Sequence, residues 1–182
     1  YSIGVNRTLV NTATHTIRGS GTVGNNNTAI VNDGLIEAVG SSGLFIDIAD
    51  TMSLDNNGLM RATAGSSLTL YGSPVDNTDG EIRAEDGSQV WLRWGSMTGG
   101  LLKSLGTGAF LFTSESCAIS DVTLDGTAYM PNDADVILAG TINNQGTWQL
   151  ASAGSATDIA LNSPIVTLAG PGKFLLGDSP AN

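Results

Sequence analysis

Three acidic residues are the first candidates for chemistry in this chain. Asp55, Asp76 and Asp79 lie near predicted turns of two successive sequence repeats, and stacked β-strands are about 4.8 Å apart. Ca²⁺ takes about six to eight oxygen ligands, and adjacent carboxylates supply such oxygens. A Ca²⁺ site at these residues is one hypothesis. The alternative, which we favour, is that they are solvated carboxylates in the turns of an acidic protein.

The residues needed for other catalytic and metal-binding sites are scarce. The chain has one histidine, His15, and one cysteine, Cys117. The sequence shows no Cys/His metal spacing, no phosphate-binding glycine loop before a helix and no Ser-His-Asp set. A single cysteine excludes an intrachain disulfide, and we expect Cys117 to be a buried structural thiol. We therefore predict no catalytic residue, and no cofactor apart from the Ca²⁺ hypothesis.

The tetrapeptide Asn77-Thr78-Asp79-Gly80 resembles the Asn-Thr-Asp signature of polygalacturonases. In those enzymes one carboxylic acid protonates the leaving oxygen and others activate water. The Asp-Asp pair, Gly-His-Gly and Arg-Ile-Lys motifs that accompany the signature do not occur here. The tetrapeptide also coincides with a predicted turn, so a polysaccharide lyase or hydrolase is only our third hypothesis for function.

Aromatic side chains form a sharper candidate for a binding surface. Alternation along the strands predicted near Ile46, Leu68, Val90 and Leu111 sends these four residues inward. Aromatic residues make up only 5% of the chain, so their concentration on the opposite face indicates contact with sugar rings, with another chain or with a covering loop. A shift of one residue in register would instead turn them inward. The outward candidates are Tyr71, Trp91, Arg93, Trp94, Phe110 and Phe112. We expect Tyr71, Trp91 and Phe112 to stack across three coils.

A second outward column is basic. Arg61, Arg83 and Lys103 occupy equivalent positions in successive repeats, and stacked like charges are unfavourable unless anions offset them. We expect Glu81 and Glu85 to pair with them locally. The alternative is an acidic partner surface, such as another copy of the protein.

These candidates are positioned by a short repeated phrase built around Gly34, Gly58, Gly80 and Gly100, which are spaced by 24, 22 and 20 residues. Each copy contains a short strand, and a turn and a second strand follow it. Such a period is typical of a solenoid, and helical periodicity is missing. Leucine-rich repeats have a similar period, but their leucine framework and asparagine ladder position are absent from the sequence.

We therefore predict an all-β protein, a right-handed parallel β-helix of about seven to eight coils of 20–24 residues without substantial helix. A single domain covers residues 1–182, and residues 114–135 form a less regular coil or a loop insertion with Tyr129-Met130-Pro131 at an exposed turn. One core ladder is predicted to contain Ile36, Met60, Ile82 and Leu102. Both ends lack a capping helix, which predicts a segment of a longer protein or a filament subunit.

Composition limits the partners. The net charge is −10, which argues against nucleic acid, since phosphate binding needs clustered Lys and Arg. No apolar run is long enough to insert into a membrane. Only 13% of the residues are charged, a balance more typical of secreted or surface-exposed solenoids.

The phrases at 15–24 and 140–147 are similar to those of filamentous-haemagglutinin-like and autotransporter adhesins of bacteria. The resemblance implies a pectin-lyase-like right-handed fold and an extracellular or cell-surface location. Our first hypothesis is a non-enzymatic structural solenoid, either an adhesin stalk or a self-associating fibre subunit, with other copies or flanking repeats as partners. The second is a carbohydrate-binding module that uses the aromatic strip.

Overall fold

The computed structural model describes residues 7–72, 74–113 and 115–180. They form three parallel sheets of eight strands each, stacked as a solenoid of about eight coils. No helix occurs in the described residues. The predicted fold class is therefore confirmed. The predicted domain limits at residues 1 and 182, and the start of the less regular stretch at Ser114, lie outside the described residues.

Each coil contributes one strand to each sheet, which we name sheets A, B and C in chain order. The first four coils contain β1 (Arg7–Asn11), β2 (Thr16–Gly19), β3 (Gly21–Val23), β4 (Thr28–Asn32), β5 (Leu35–Ala38), β6 (Leu44–Asp47), β7 (Leu54–Asn56), β8 (Leu59–Ala62), β9 (Ser67–Tyr71), β10 (Val75–Asp76), β11 (Glu81–Ala84) and β12 (Gln89–Arg93). The last four contain β13 (Gly95–Thr98), β14 (Leu101–Ser104), β15 (Ala109–Phe112), β16 (Cys117–Ser120), β17 (Thr123–Asp125), β18 (Thr127–Pro131), β19 (Asp135–Ala139), β20 (Thr141–Asn144), β21 (Thr147–Ala151), β22 (Asp158–Leu161), β23 (Thr167–Ala169) and β24 (Lys173–Leu176).

The repeated glycines mark equivalent positions in sheet B, as the phrase predicts. The residue after each glycine donates its amide to the previous glycine, as from Leu59 to Gly34 and from Leu101 to Gly80. The register then places Ile36, Met60, Ile82 and Leu102 in one column. All four are fully buried, which confirms this predicted core ladder.

The predicted register of β15 is wrong by one residue. Val90 pairs with Phe110 and Trp91 with Leu111, so Phe110 and Phe112 lie in the core and Leu111 faces outward. The reason is the turn that precedes the strand. The Gly108 amide donates to the Leu105 carbonyl, and in the coil before it the Ser88 amide donates to the Glu85 carbonyl. Gly108 is therefore equivalent to Ser88 and not to Gly87. Ile46, Leu68 and Val90 are buried as predicted.

Residues 115–135, where we expected less regular structure, contain β16, β17, β18 and the start of β19. Each of these strands pairs in parallel with the strands of the coils before and after it. The stretch is therefore continuous with the ladders of all three sheets. Tyr129 and Met130, which we expected at an exposed turn, belong to β18, and Met130 is buried.

A buried ladder of asparagines runs along one corner of the solenoid. Asn11 donates to Asn32, Asn32 to Asn56 and Asn56 to Asn77 through side-chain amides at 2.6–2.7 Å. At the first coil the ring of His15 is 2.7 Å from Asn11 Oδ1. This asparagine ladder was not predicted from the sequence. The four side chains satisfy one another's polar groups inside the core.

The repeated glycines provide the space that this ladder needs. A Cβ at Gly80 would lie 2.4 Å from Asn56 Nδ2 and 2.7 Å from Asn77 Oδ1. A Cβ at Gly100 would lie 2.3 Å from Asn77 Nδ2. These distances are too short for a carbon atom, so the glycine column and the asparagine ladder depend on each other.

An aromatic stack fills the C-terminal half of the core. The Trp148 ring stacks on Phe112 at a centroid distance of 5.3 Å and on Phe174 at 5.4 Å. Ala128 stands in register between Phe110 and Trp148. Its small side chain leaves room for the indole to reach Phe112, two coils away. The stack ties three coils together.

Candidate binding surface

All outward-facing aromatic residues in the described part of the chain lie on sheet C or directly after one of its strands. No outward aromatic occurs on sheets A or B within 7–72, 74–113 and 115–180. This surface contains four of the six predicted candidates, since Phe110 and Phe112 are internal. It consists of Arg93 and the aromatic residues Phe45, Tyr71, Trp91, Trp94 and Tyr129.

Three of these rings touch one another at one end of the surface. Tyr71 lies 5.4 Å from Phe45 and 5.9 Å edge-on from Trp94, measured between centroids. Trp94 is 55% exposed and has a left-handed φ of 44°, a conformation that costs energy for a bulky residue. Gly72 fixes it by donating its amide to the Trp94 carbonyl at 2.7 Å. The turn therefore holds a large apolar ring in solvent.

Trp91 belongs to a different column from Tyr71. The register aligns Trp91 with Thr69 and Leu111, while Tyr71 aligns with Arg93. The predicted stack of Tyr71, Trp91 and Phe112 is therefore wrong. The indole of Trp91 donates to Gln89 Oε1 at 3.2 Å, which fixes its orientation on the sheet.

Arg93 provides the charged group of this surface. Its guanidinium lies 5.8 Å from the Tyr71 ring centroid, and its Nε and Nη2 donate to the two carboxylate oxygens of Glu115 at 3.0 and 3.1 Å. A shallow depression beside it is lined by Thr69, Trp91, Arg93 and Thr113. Hydroxyl groups and a fixed guanidinium thus surround an indole ring.

The basic column of sheet B is neutralised by neighbouring carboxylates, as expected for Glu81 and Glu85. Arg83 lies 2.5 Å from Glu81 and 3.3 Å from Glu85. Arg61 is 3.7 Å from Glu85, and Lys103 is 3.2 Å from Asp125. The column is therefore a ladder of ion pairs.

Glu37 is the most buried member of this ladder. It pairs with Arg18 and, at 2.6 Å, with Arg61. Burial raises its pKa, but the hydrogen bonds and charges of Arg18 and Arg61 outweigh burial and lower the pKa below its ordinary value of 4.5. The ionised carboxylate is therefore favoured in the folded state.

Replacing Glu37 with glutamine removes the charge that pairs with Arg18 and Arg61 and should reduce the free energy of unfolding by about 1–2 kcal/mol at pH 7. The loss is no larger because solvent screens the partly exposed arginines. Since the pKa is lowered by folding, this contribution is complete above about pH 4.5. It is lost as the pH falls through the folded-state pKa. Urea unfolding of the wild type and E37Q at about pH 7 and pH 3 measures it. Asp125→Asn, at an exposed pair, is the control with little expected effect, and an E37Q deficit of equal size at both pH values would contradict the argument.

The three aspartates considered for Ca²⁺ do not form a site. Asp55 and Asp76 are neighbours in sheet A, but Asp76 accepts hydrogen bonds from the Thr78 amide and hydroxyl at 3.0 and 2.6 Å. Asp79 lies beyond the turn, and no group of three or more His, Cys, Asp or Glu side chains is placed to hold a metal in the residues described. The hydrogen bonds from Thr78 lower the pKa of Asp76, as expected for a carboxylate of a turn.

Two further residues that the sequence singled out, Asn77 and Cys117, are buried inside the solenoid. Asn77 of the Asn-Thr-Asp phrase is buried in the asparagine ladder. Cys117 is buried as expected, and desolvation raises the pKa of its thiol to about 12, so a thiolate is strongly disfavoured near neutral pH.

Tyr129 was missed as a surface residue because its neighbours Met130 and Pro131 suggested a turn. The period-2 alternation of Ala128, Tyr129 and Met130 was the available signal.

The fold and its surface define a β-solenoid repeat protein with one aromatic face. No family model matches the chain, and comparison with curated proteins and with solved structures also finds no match. The β-helical repeat nature is confirmed by the structure, while the likeness to bacterial adhesins stays a prediction. Helices long and apolar enough to cross a membrane do not occur in the described residues.

Proposed function

We propose that this chain is a non-enzymatic structural solenoid located outside a bacterial cell, as part of an adhesin stalk or as a fibre subunit. The observation that carries the proposal is the exposed core at the last described coil. There Leu161, Leu168 and Leu176 are 63%, 56% and 64% exposed.

These three leucines continue buried columns of the core. They align with Leu138, Ile142 and Leu150 of the preceding coil, all of which are buried. In the part of the chain that the structure describes, no strand pairs with the outer edges of β22, β23 and β24, and exposed apolar side chains beside such edges favour contact with a further coil. That coil belongs either to a second copy or to adjoining repeats of the same protein.

The distribution of charge supports a structural role. The basic side chains of sheet B are engaged in ion pairs, and exposed turn carboxylates such as Asp86 accept hydrogen bonds from the next coil. The contacts of Arg61, Lys103 and Asp86 link successive coils and stabilise the ladder. The low proportion of charged residues, 13%, supports the extracellular location.

Sedimentation velocity and negative-stain imaging across a wide concentration range test the proposal. Association through the last coil should give elongated particles of uniform width that lengthen with concentration. The double variant Leu168→Lys and Leu176→Lys should remain monomeric, because charges in the core columns oppose stacking. Ile165→Lys is the matched control, since Ile165 is 77% exposed but lies in a loop outside the columns.

Monomers at every concentration would contradict the fibre subunit and favour the stalk, in which adjoining repeats cover the coil. Association that survives the double variant would contradict stacking through the core columns. Cleavage of polygalacturonate or another polysaccharide by the purified chain would contradict the non-enzymatic assignment.

A further inference from the structure

Outward aromatic residues of sheet C recur with a period of two coils, away from the end coils. One column contains, in register, Phe45, Thr69, Trp91, Leu111 and Tyr129. Aromatic rings thus recur at every second coil from the second coil to the sixth. With coils about 4.8 Å apart, successive rings are separated by roughly 10 Å along the solenoid axis.

This spacing matches the repeat of an extended β-linked polysaccharide. Successive pyranose rings in such a chain are turned over, so every second ring presents the same apolar face on the same side. The length of two rings is similar to two coil steps. Planar aromatic side chains provide a large apolar surface of low conformational entropy for such ring faces. Thr69 and Leu111 alternate with the aromatic residues in this column and have smaller side chains, and Leu111 is only 9% exposed between Trp91 and Tyr129.

We propose that sheet C binds a neutral, extended β-linked polysaccharide that runs parallel to the solenoid axis and stacks on Phe45, Trp91 and Tyr129. The three rings span four coil steps, about 19 Å. Because every second sugar ring meets an aromatic side chain, about five consecutive rings are needed to reach all three. A disaccharide reaches only one.

The polar groups around Trp91 suit sugar hydroxyls. Thr69, Arg93 and Thr113 line the depression beside the indole. Glu115 holds the guanidinium of Arg93 through Nε and Nη2, and a guanidinium carries five N–H donors in total. The site is therefore preorganised, which reduces the entropy lost on binding.

Charge favours a neutral polysaccharide over an anionic one. The Arg93–Glu115 pair cancels the local positive charge, and the whole chain carries −10. A uronate polymer would be repelled over most of the surface. Sheet C lies along the side of the solenoid, so binding there does not depend on what covers the end coils.

Calorimetric titration with cellohexaose, xylohexaose and chitohexaose tests the inference, with cellobiose as the short ligand and maltohexaose as the hexasaccharide that is not extended. At least one of the β-linked hexasaccharides should bind. Cellobiose and maltohexaose should bind much more weakly. Trp91→Ala should weaken hexasaccharide binding roughly tenfold, and Trp91→Phe should retain most of it.

The matched control is Leu59→Ala, which truncates an outward apolar residue on sheet B and should leave binding unchanged. Circular dichroism of each variant separates loss of binding from loss of folding. Binding that is absent for all the β-linked hexasaccharides, equal for cellobiose and the hexasaccharides, or unaffected by Trp91→Ala would overturn the proposal. A change in the sedimentation of Trp91→Ala from oligomer to monomer would also overturn it, since the aromatic face would then be an interface between copies.

Discussion

Asn56→Ala is expected to lower the free energy of unfolding by about 3–5 kcal/mol. Asn56 is fully buried, accepts from Asn32 at 2.7 Å and donates to Asn77 at 2.6 Å. The substitution removes the partner of one buried donor and one buried acceptor, and each unsatisfied group costs about 1–3 kcal/mol. This is a large share of the stability of an ordinary domain. Urea unfolding followed by circular dichroism measures the loss.

The neighbouring residue provides the control for this prediction. Asn57 has the same side chain, but its amide is exposed and donates to Asp33 Oδ1 at 2.8 Å on the surface. Asn57→Ala should cost less than about 0.5 kcal/mol. Equal losses for the two variants would show that the buried ladder contributes no more than an ordinary turn contact.

Trp148→Ala is expected to cost about 4–5 kcal/mol, because it leaves a large cavity in the core. The indole is fully buried and stacks on both Phe112 and Phe174. Its removal separates the last coil from the aromatic stack, so proteolysis near residues 158–176 should accelerate as global stability falls. Thermal unfolding and timed limited proteolysis measure the two effects.

Trp148→Phe separates the stability contributed by aromatic stacking from any contribution of the indole nitrogen. Trp148 Nε1 has no hydrogen-bond partner in the described residues, so phenylalanine loses packing volume but no hydrogen bond. It should cost about 1–2 kcal/mol. A loss as large as that of Trp148→Ala would mean that the stacking geometry contributes little and that the size of the indole decides.

The sequence was sufficient to predict the coils wherever glycine marked the turn. Gly34, Gly58, Gly80 and Gly100 align because each is needed where two backbones approach closely. Gly108 does not align with Gly87, because glycine is tolerated at neighbouring positions of a turn and does not define the register of the strand that follows. One residue of shift moved Phe110 and Phe112 from the predicted surface to the core.

The asparagine ladder could not be separated from turn chemistry in the sequence. Asn32, Asn56 and Asn77 precede glycines by two or three residues, a spacing that turns also favour. Only the stacking of coils brings their amides within hydrogen-bonding distance. The candidate surface was only partly predictable, because some of its residues depend on the conformation of a turn. Trp91 and Arg93 follow from alternation, whereas the position of Trp94 depends on the left-handed turn.

The asparagine ladder also gives the solenoid an electrical direction. Each of its amides donates toward the next coil and accepts from the previous one, so the four side-chain dipoles add and polarise one another. The backbone of a sheet contributes little net dipole. The first coil therefore carries the partial negative end of the ladder, and the partial positive end lies at Asn77 in the fourth coil. Contact between two first coils would bring two negative ends together, which disfavours head-to-head assembly, so a fibre built from these solenoids would be polar.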